Sequence, residues 1–154
     1  MMTLCSKVLC ALDGRTLVTA ESCTGGGIGA ALTAVPGSSK VYKGGIISYP
    51  NWVKQNVLGV DEELLKREGA VSAPVAEAMA AGARKCLQAD VAVSVTGLAG
   101  PDGDEYGNPV GTVFIGYADA VRTLSRKYCF DGDRDAVRTQ ATEEALKLVL
   151  AYNG

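Results

Sequence analysis

Three small side chains able to attack or to hydrogen bond, Ser22, Cys23 and Thr24, stand together in "LVTAESCTGGGIGAAL", residues 17–32. The apolar run from Leu17 stops at Glu21, and glycines lead from Thr24 into a small-residue segment with helical character. A strand turning through glycines into a helix start exposes backbone N–H groups and the positive end of the helix dipole. Such a turn can hold a phosphate, or stabilise the oxyanion formed when Ser22 attacks a carbonyl, through the N–H groups around Cys23, Thr24, Gly25 and Gly26. It can equally be a tight structural turn, and pattern alone leaves both readings open. The dinucleotide, P-loop and hydrolase-elbow readings fit badly, since G-x-G-x-x-G, a Walker lysine and G-x-S-x-G are all missing.

A serine nucleophile needs a base, and the chain of 154 residues has no histidine. Ser-His-Asp and Cys-His chemistry are therefore excluded, and zinc loses its commonest nitrogen ligand. No metal or cofactor is expected. "SYPNWVK" supplies Tyr49, Asn51 and Lys54 just past a second strand, where α/β sheets gather site residues. A lysine base must have its pKa brought from ~10.4 to about 7–8 by burial or a nearby positive group. A tyrosine beside it would relay the proton or orient the amine. Lys43 is a competing base, and the plainer reading makes Tyr49 a strand aromatic and Lys54 a solvated helix residue.

Two further stretches bear on the same cleft. "VTGLAGPDG" puts Thr96, Gly97 and Gly100 at another strand end, as cleft lining or as a flexible loop. "FDGDRDAVR" sets Arg134 and Arg138 four apart on one helical face, as a phosphate clamp or as exposed surface. Apolar content of 47%, charged content of 21% and net charge −2 describe a globular chain without the basic excess of a nucleic-acid binder. No apolar run approaches the ~18 residues of a membrane span. The start "MMTLCSKVLCALDGR" is too polar for a signal peptide, which makes the cytoplasm the expected compartment. Cys5, Cys10, Cys23, Cys86 and Cys129 form no C-x-x-C pair and read mostly as small buried hydrophobes.

The elements that must position these groups follow from periodicity and punctuation. Helices are expected over 3–13, with Leu4, Val8, Leu9 and Leu12 on one face, and over 25–35, stopped by Pro36-Gly37. Further helices run over 62–68 with Asp61 as cap, from a Ser72 cap to about Leu87, and from near Asp133 to about Tyr152. Strands are expected over 16–20, over 44–50, in "DVAVSVTG", and in "GTVFIGYA" and "RTLSRKYCF", the last two pairing across "DAV". Early alternation and late neighbour pairing predict one α/β domain over 1–154. Its architecture is a three-layer α/β/α sandwich with a mixed, mostly parallel sheet of about five strands. The turn-rich segment 97–111 is long enough to be functional.

Together, "TAESCTGG", "GGIISYPNWVKQNVLGV", "GAVSAPVAEAMAAGAR", "SVTGLAGPDG", "PVGTVFIG" and "FDGDRDAVR" resemble, in order and spacing, the C-terminal domain of the competence-damage-inducible CinA proteins. That domain also occurs alone as a nicotinamide mononucleotide amidohydrolase, and a chain of this length is more similar to the stand-alone form. The resemblance implies metal-free hydrolysis of the nicotinamide carboxamide, giving nicotinic acid mononucleotide and ammonia. It implies Ser22 as nucleophile, Lys54 helped by Tyr49 as base, Asn51 as an intervening polar residue, and Arg138 or the Thr96–Gly100 turn as phosphate donors. The implied partner is a small nucleotide, with neither nucleic acid nor membrane, and a homo-oligomer is left open. Pro50 and Asp102 depart from the family pattern at the cleft rim. The rival reading is a catalytically silent nucleotide- or partner-binding module, and a weaker one uses Cys23 as nucleophile.

Overall fold

Leu17–Glu21 (β1) is buried at every position and Val91–Gly97 (β3) at all but its last, the pattern of strands covered on both faces. The computed structural model describes residues 1–154. It sets β1 and β3 side by side in a five-stranded sheet of order β2-β1-β3-β4-β5, with β2 Tyr42–Ile47, β4 Thr112–Ala118 and β5 Thr123–Cys129. β1 pairs in parallel with β2 and β3, while β4 runs antiparallel to both β3 and β5. Four of the five strands therefore point the same way, and the mixed, mostly parallel sheet is as expected.

Period-2 alternation along β1 assigns the layers. Leu17 joins a core with Val8 of α1 (Met2–Ala11) and Leu12 just after it, Ile28 and Leu32 of α2 (Gly27–Thr33), and Val137 and Leu146 of α6 (Arg134–Asn153). Val18 and Ala20 face a second core with Leu65 of α4 (Glu62–Glu68) and Val75, Met79 and Ala83 of α5 (Ala73–Leu87). The result is the three-layer sandwich. On its second face α5 lies on bare backbone. A Cβ at Gly116 would run into the Ala76 carbonyl, and Ser94 Oγ donates to that same carbonyl at 2.6 Å.

The connections determine where a cleft opens. β1 leads through α2 to β2 on one side, and the chain then returns past β1 through α3 (Asn51–Asn56), α4 and α5 to β3. At such a reversal the carboxyl ends of adjacent strands splay around a crevice. Ser22 follows β1 directly, and Gly97 closes β3.

Several local expectations are corrected. The second helix begins at Gly27 rather than Gly25, because Gly25 and Gly26 take positive φ of 58° and 103° and form the turn itself. The second strand covers Tyr42–Ile47 rather than 44–50, and the short α3 occupies the segment after it. Asp61 caps α4 as expected, accepting from Glu63 N–H at 3.3 Å, but Ser72 Oγ donates backwards to the Gly69 carbonyl and caps nothing. Only Cys5 and Cys23 are buried; Cys10, Cys86 and Cys129 are exposed, so the cysteines are not mainly core residues.

Candidate active site

Ser22 takes its position from the sheet. Its N–H donates to the Val95 carbonyl of β3 at 3.0 Å, so β1–β3 pairing carries on into the turn. Behind it, Glu21 is fully buried and accepts four hydrogen bonds: from Thr19 Oγ1, Thr24 Oγ1 and the N–H groups of Ile28 and Gly29. The carboxylate thus meets the free amides at the start of α2 and pulls helix and turn together. Arg138 supports the same turn from α6, donating to the carbonyls of Cys23 at 3.0 Å and Thr24 at 3.2 Å. With its carbonyls turned back, the turn leaves the N–H groups of Cys23 and Thr24 without any protein acceptor. These are the groups an oxyanion needs.

Lys54 reaches Ser22 from α3. Helical side chains lean toward the helix N-terminus, which brings this amine back over Ser48 and Tyr49. Ser48 N–H donates to the Glu21 carbonyl at 2.9 Å, which continues the β1–β2 pairing beside Ser22. Lys54 Nζ lies 3.2 Å from Ser22 Oγ, 2.6 Å from the Ser48 carbonyl oxygen and 3.0 Å from that of Tyr49, with 1% of the residue exposed. Burial pushes its pKa down to about 8. The two carbonyls can only accept. A neutral amine therefore spends its two N–H bonds on them, and its lone pair is left facing Ser22, the one partner able to donate.

The remaining candidates divide between the wall of the cleft and its support. Ser22, Cys23, Tyr49, Asn51, Lys54, Thr96, Gly97 and Gly100 all line one cavity of about 270 Å³. Thr96 does so with its hydroxyl committed to the Ala70 carbonyl at 2.8 Å, which holds the opposite wall to β3. Thr24, Gly25 and Gly26 follow Cys23 without joining the cavity wall, and Arg138 faces a separate hollow next to Thr24 and Gly27. Tyr49 meets Lys54 through its carbonyl. Its phenol oxygen instead accepts from Arg134 Nη2 at 3.2 Å, and the residue is 57% exposed. Burial raises the Cys23 thiol to about 11, which leaves it protonated and poorly suited to attack. Lys43 donates to the Ser39 carbonyl at 2.7 Å and is not on the cleft wall.

One residue of the site escaped the sequence reading. Glu21 looked like the end of a strand, although its alternation with Leu17 and Thr19 pointed it at the face that α2 covers. Of the two arginines read as a phosphate clamp or as exposed surface, Arg134 lines the cavity itself and Arg138 does not.

Comparison with known proteins bears on this geometry. The family described as "CinA C-terminal domain" matches residues 3–152. The chain is 50% identical over 135 residues to the nicotinamide-nucleotide amidohydrolase PncC of Escherichia coli K12, covering 87% of this chain and 82% of that protein. It is also 50% identical to a CinA-like protein of Synechococcus sp. RCC307 across 96% of this chain, but there it covers only 36% of the longer relative. Among solved structures, a competence or damage-inducible protein from Enterobacter asburiae superposes with TM-score 0.96 at 35% identity, covering 99% of this chain and 98% of that one.

Proposed function

The chain belongs to the CinA C-terminal domain family, and on that premise we propose that it is a nicotinamide-nucleotide amidohydrolase working in the cytoplasm by a serine–lysine mechanism. The observation that carries the chemistry is the 3.2 Å contact between a buried lysine amine and Ser22 Oγ.

In this mechanism neutral Lys54 takes the Ser22 hydroxyl proton as Oγ attacks the carboxamide carbon. The tetrahedral oxyanion is met by the Cys23 and Thr24 N–H groups. Lys54, now an ammonium, returns its proton to the leaving nitrogen, and ammonia departs. Water then attacks the ester carbon with Lys54 again as base, releasing nicotinic acid mononucleotide and regenerating Ser22. Tyr49 contributes its carbonyl to orienting the amine and its ring to the cleft wall, and Asn51 and the Thr96–Gly100 turn border the substrate. Glu21 and Arg138 act as positioning residues behind the oxyanion donors.

Nicotinamide mononucleotide incubated with the pure protein is expected to release one ammonia per nucleotide, read by a coupled dehydrogenase assay. Ser22→Ala should lower that rate by roughly 10³-fold or more, whereas Cys23→Ala should lower it less than tenfold. Loss confined to the cysteine variant overturns the assignment of the nucleophile. Silence of the wild-type protein at micromolar concentration favours the binding-module reading instead.

A further inference from the structure

The cleft has a depth gradient that orients any nicotinamide nucleotide. Its reactive end is buried, with Ser22 and Lys54 at 8% and 1% exposure, while Arg134 stands exposed on its rim. A carboxamide at Ser22 therefore sends the rest of the nucleotide outwards. Arg134 is the one arginine on the cavity wall, and it pairs with no carboxylate, since every ion pair of the protein lies elsewhere. Its guanidinium is nonetheless held. Nη1 donates to the Gly100 carbonyl at 2.6 Å, and Nη2 donates to the Tyr49 phenol oxygen at 3.2 Å. Both acceptors are neutral, so the charge is fixed in place without being cancelled. Of the five N–H groups of a guanidinium, three stay free, in the planar fork that suits a phosphate.

Arg138 cannot serve in the same way, because it is not on this cavity's wall and faces the separate hollow beside Thr24 and Gly27. The single carboxylate on the cavity wall, Asp102, would repel a phosphate and complement the cationic pyridinium ring.

We propose that Arg134, pre-set by Tyr49 and the Gly100 carbonyl, reads the 5′-phosphate and so makes the enzyme select a nucleotide over the corresponding nucleoside. This assignment rests on the amidohydrolase reading, and the test keeps the two apart. Affinity for nicotinamide mononucleotide and for nicotinamide riboside is measured by calorimetry in the Ser22→Ala protein, with and without Arg134→Gln, beside ammonia release in proteins that retain Ser22. Arg134→Gln should weaken nucleotide binding about 10- to 100-fold, the range of a hydrogen bond to a charged group. Riboside binding should change less than twofold, and Arg134→Lys should recover part of the nucleotide affinity. Inorganic phosphate should compete with the nucleotide in the parent protein and lose that ability in the glutamine variant. Equal losses for nucleotide and riboside, or no loss for either, overturn the proposal. Absence of ammonia release alongside phosphate-selective binding overturns the amidohydrolase reading and leaves Arg134 as a phosphate reader.

Discussion

The two turns that meet at the cleft are built on opposite plans. The one after β1 is held from beneath by charge, with the buried Glu21 carboxylate on the α2 amides and the half-buried Arg138 on two carbonyls. The one after β3 is closed at its base, Leu98 N–H to the Thr112 carbonyl and Gly111 N–H to the Leu98 carbonyl, and beyond that largely satisfies itself. Its outer part reaches the body through Tyr106 Oη on the Lys66 carbonyl at 2.9 Å and Asn108 on the Val71 carbonyl at 3.1 Å. The difference suits the two tasks that the proposed mechanism gives these turns. An oxyanion site must not reorganise during reaction, so its amides are over-determined. A rim that chooses among ligands can change sequence cheaply, and Asp102 stands on this rim.

Substitutions at the first turn and its lysine should therefore do far more harm than those at the rim. The largest effect is expected for Lys54→Met, with turnover down roughly 10³-fold or more and the fold retained, because an apolar chain of similar volume replaces a buried amine. In the parent protein log kcat/KM should climb with pH and level off above about 8, where the amine becomes neutral. Stability should respond too. The folded-state value of about 8 lies below the ordinary 10.5, so between those limits the unfolded chain carries a proton the folded one has lost. Unfolding free energy then rises with pH across that window. Urea titrations at pH 8 and pH 10 should show this rise, and Lys54→Met should remove its share.

Glu21→Ala comes next. It orphans buried donors, and a loss of about 2–4 kcal/mol is expected in urea denaturation. Glu21→Gln should keep the fold better yet still slow turnover, since the neutral amide answers the α2 amides more weakly. The smallest effect is expected for Tyr106→Phe, which removes one exposed hydrogen bond: under 1 kcal/mol of stability and less than twofold in kcat. A rim substitution as damaging as Glu21→Ala would erase the distinction between the two turns.

How much of this was legible in the chain depends on the range of the interaction concerned. The sandwich, its strands and the helix ending near Tyr152 follow from local periodicity, which folding preserves. Ser22 and Lys54 could be paired as candidates by exclusion, once histidine was missing. Their contact depends on Ser48 continuing the β1–β2 pairing, and no local pattern encodes that. Glu21 was illegible because its partners, Ile28 and Gly29, become neighbours only when two glycines with positive φ fold the helix back. The division of labour between Arg134 and Arg138 was hidden for a similar reason. One turn of α6 separates them in sequence, but the cleft ends between them, so one lines the cavity and the other holds backbone.

Gly116 carries a consequence for the opposite wall. Helix α5 rests on that residue with no atoms to spare, and the α4–α5 connection containing Ala70 and Val71, which borders the cleft, runs directly into α5. A methyl group at 116 would act as a shim, lifting the helix from the sheet and tilting that wall outward. The gap that the proposed reading fills with a flat aromatic amide is thus metered by a hydrogen atom beneath α5, out of reach of any ligand.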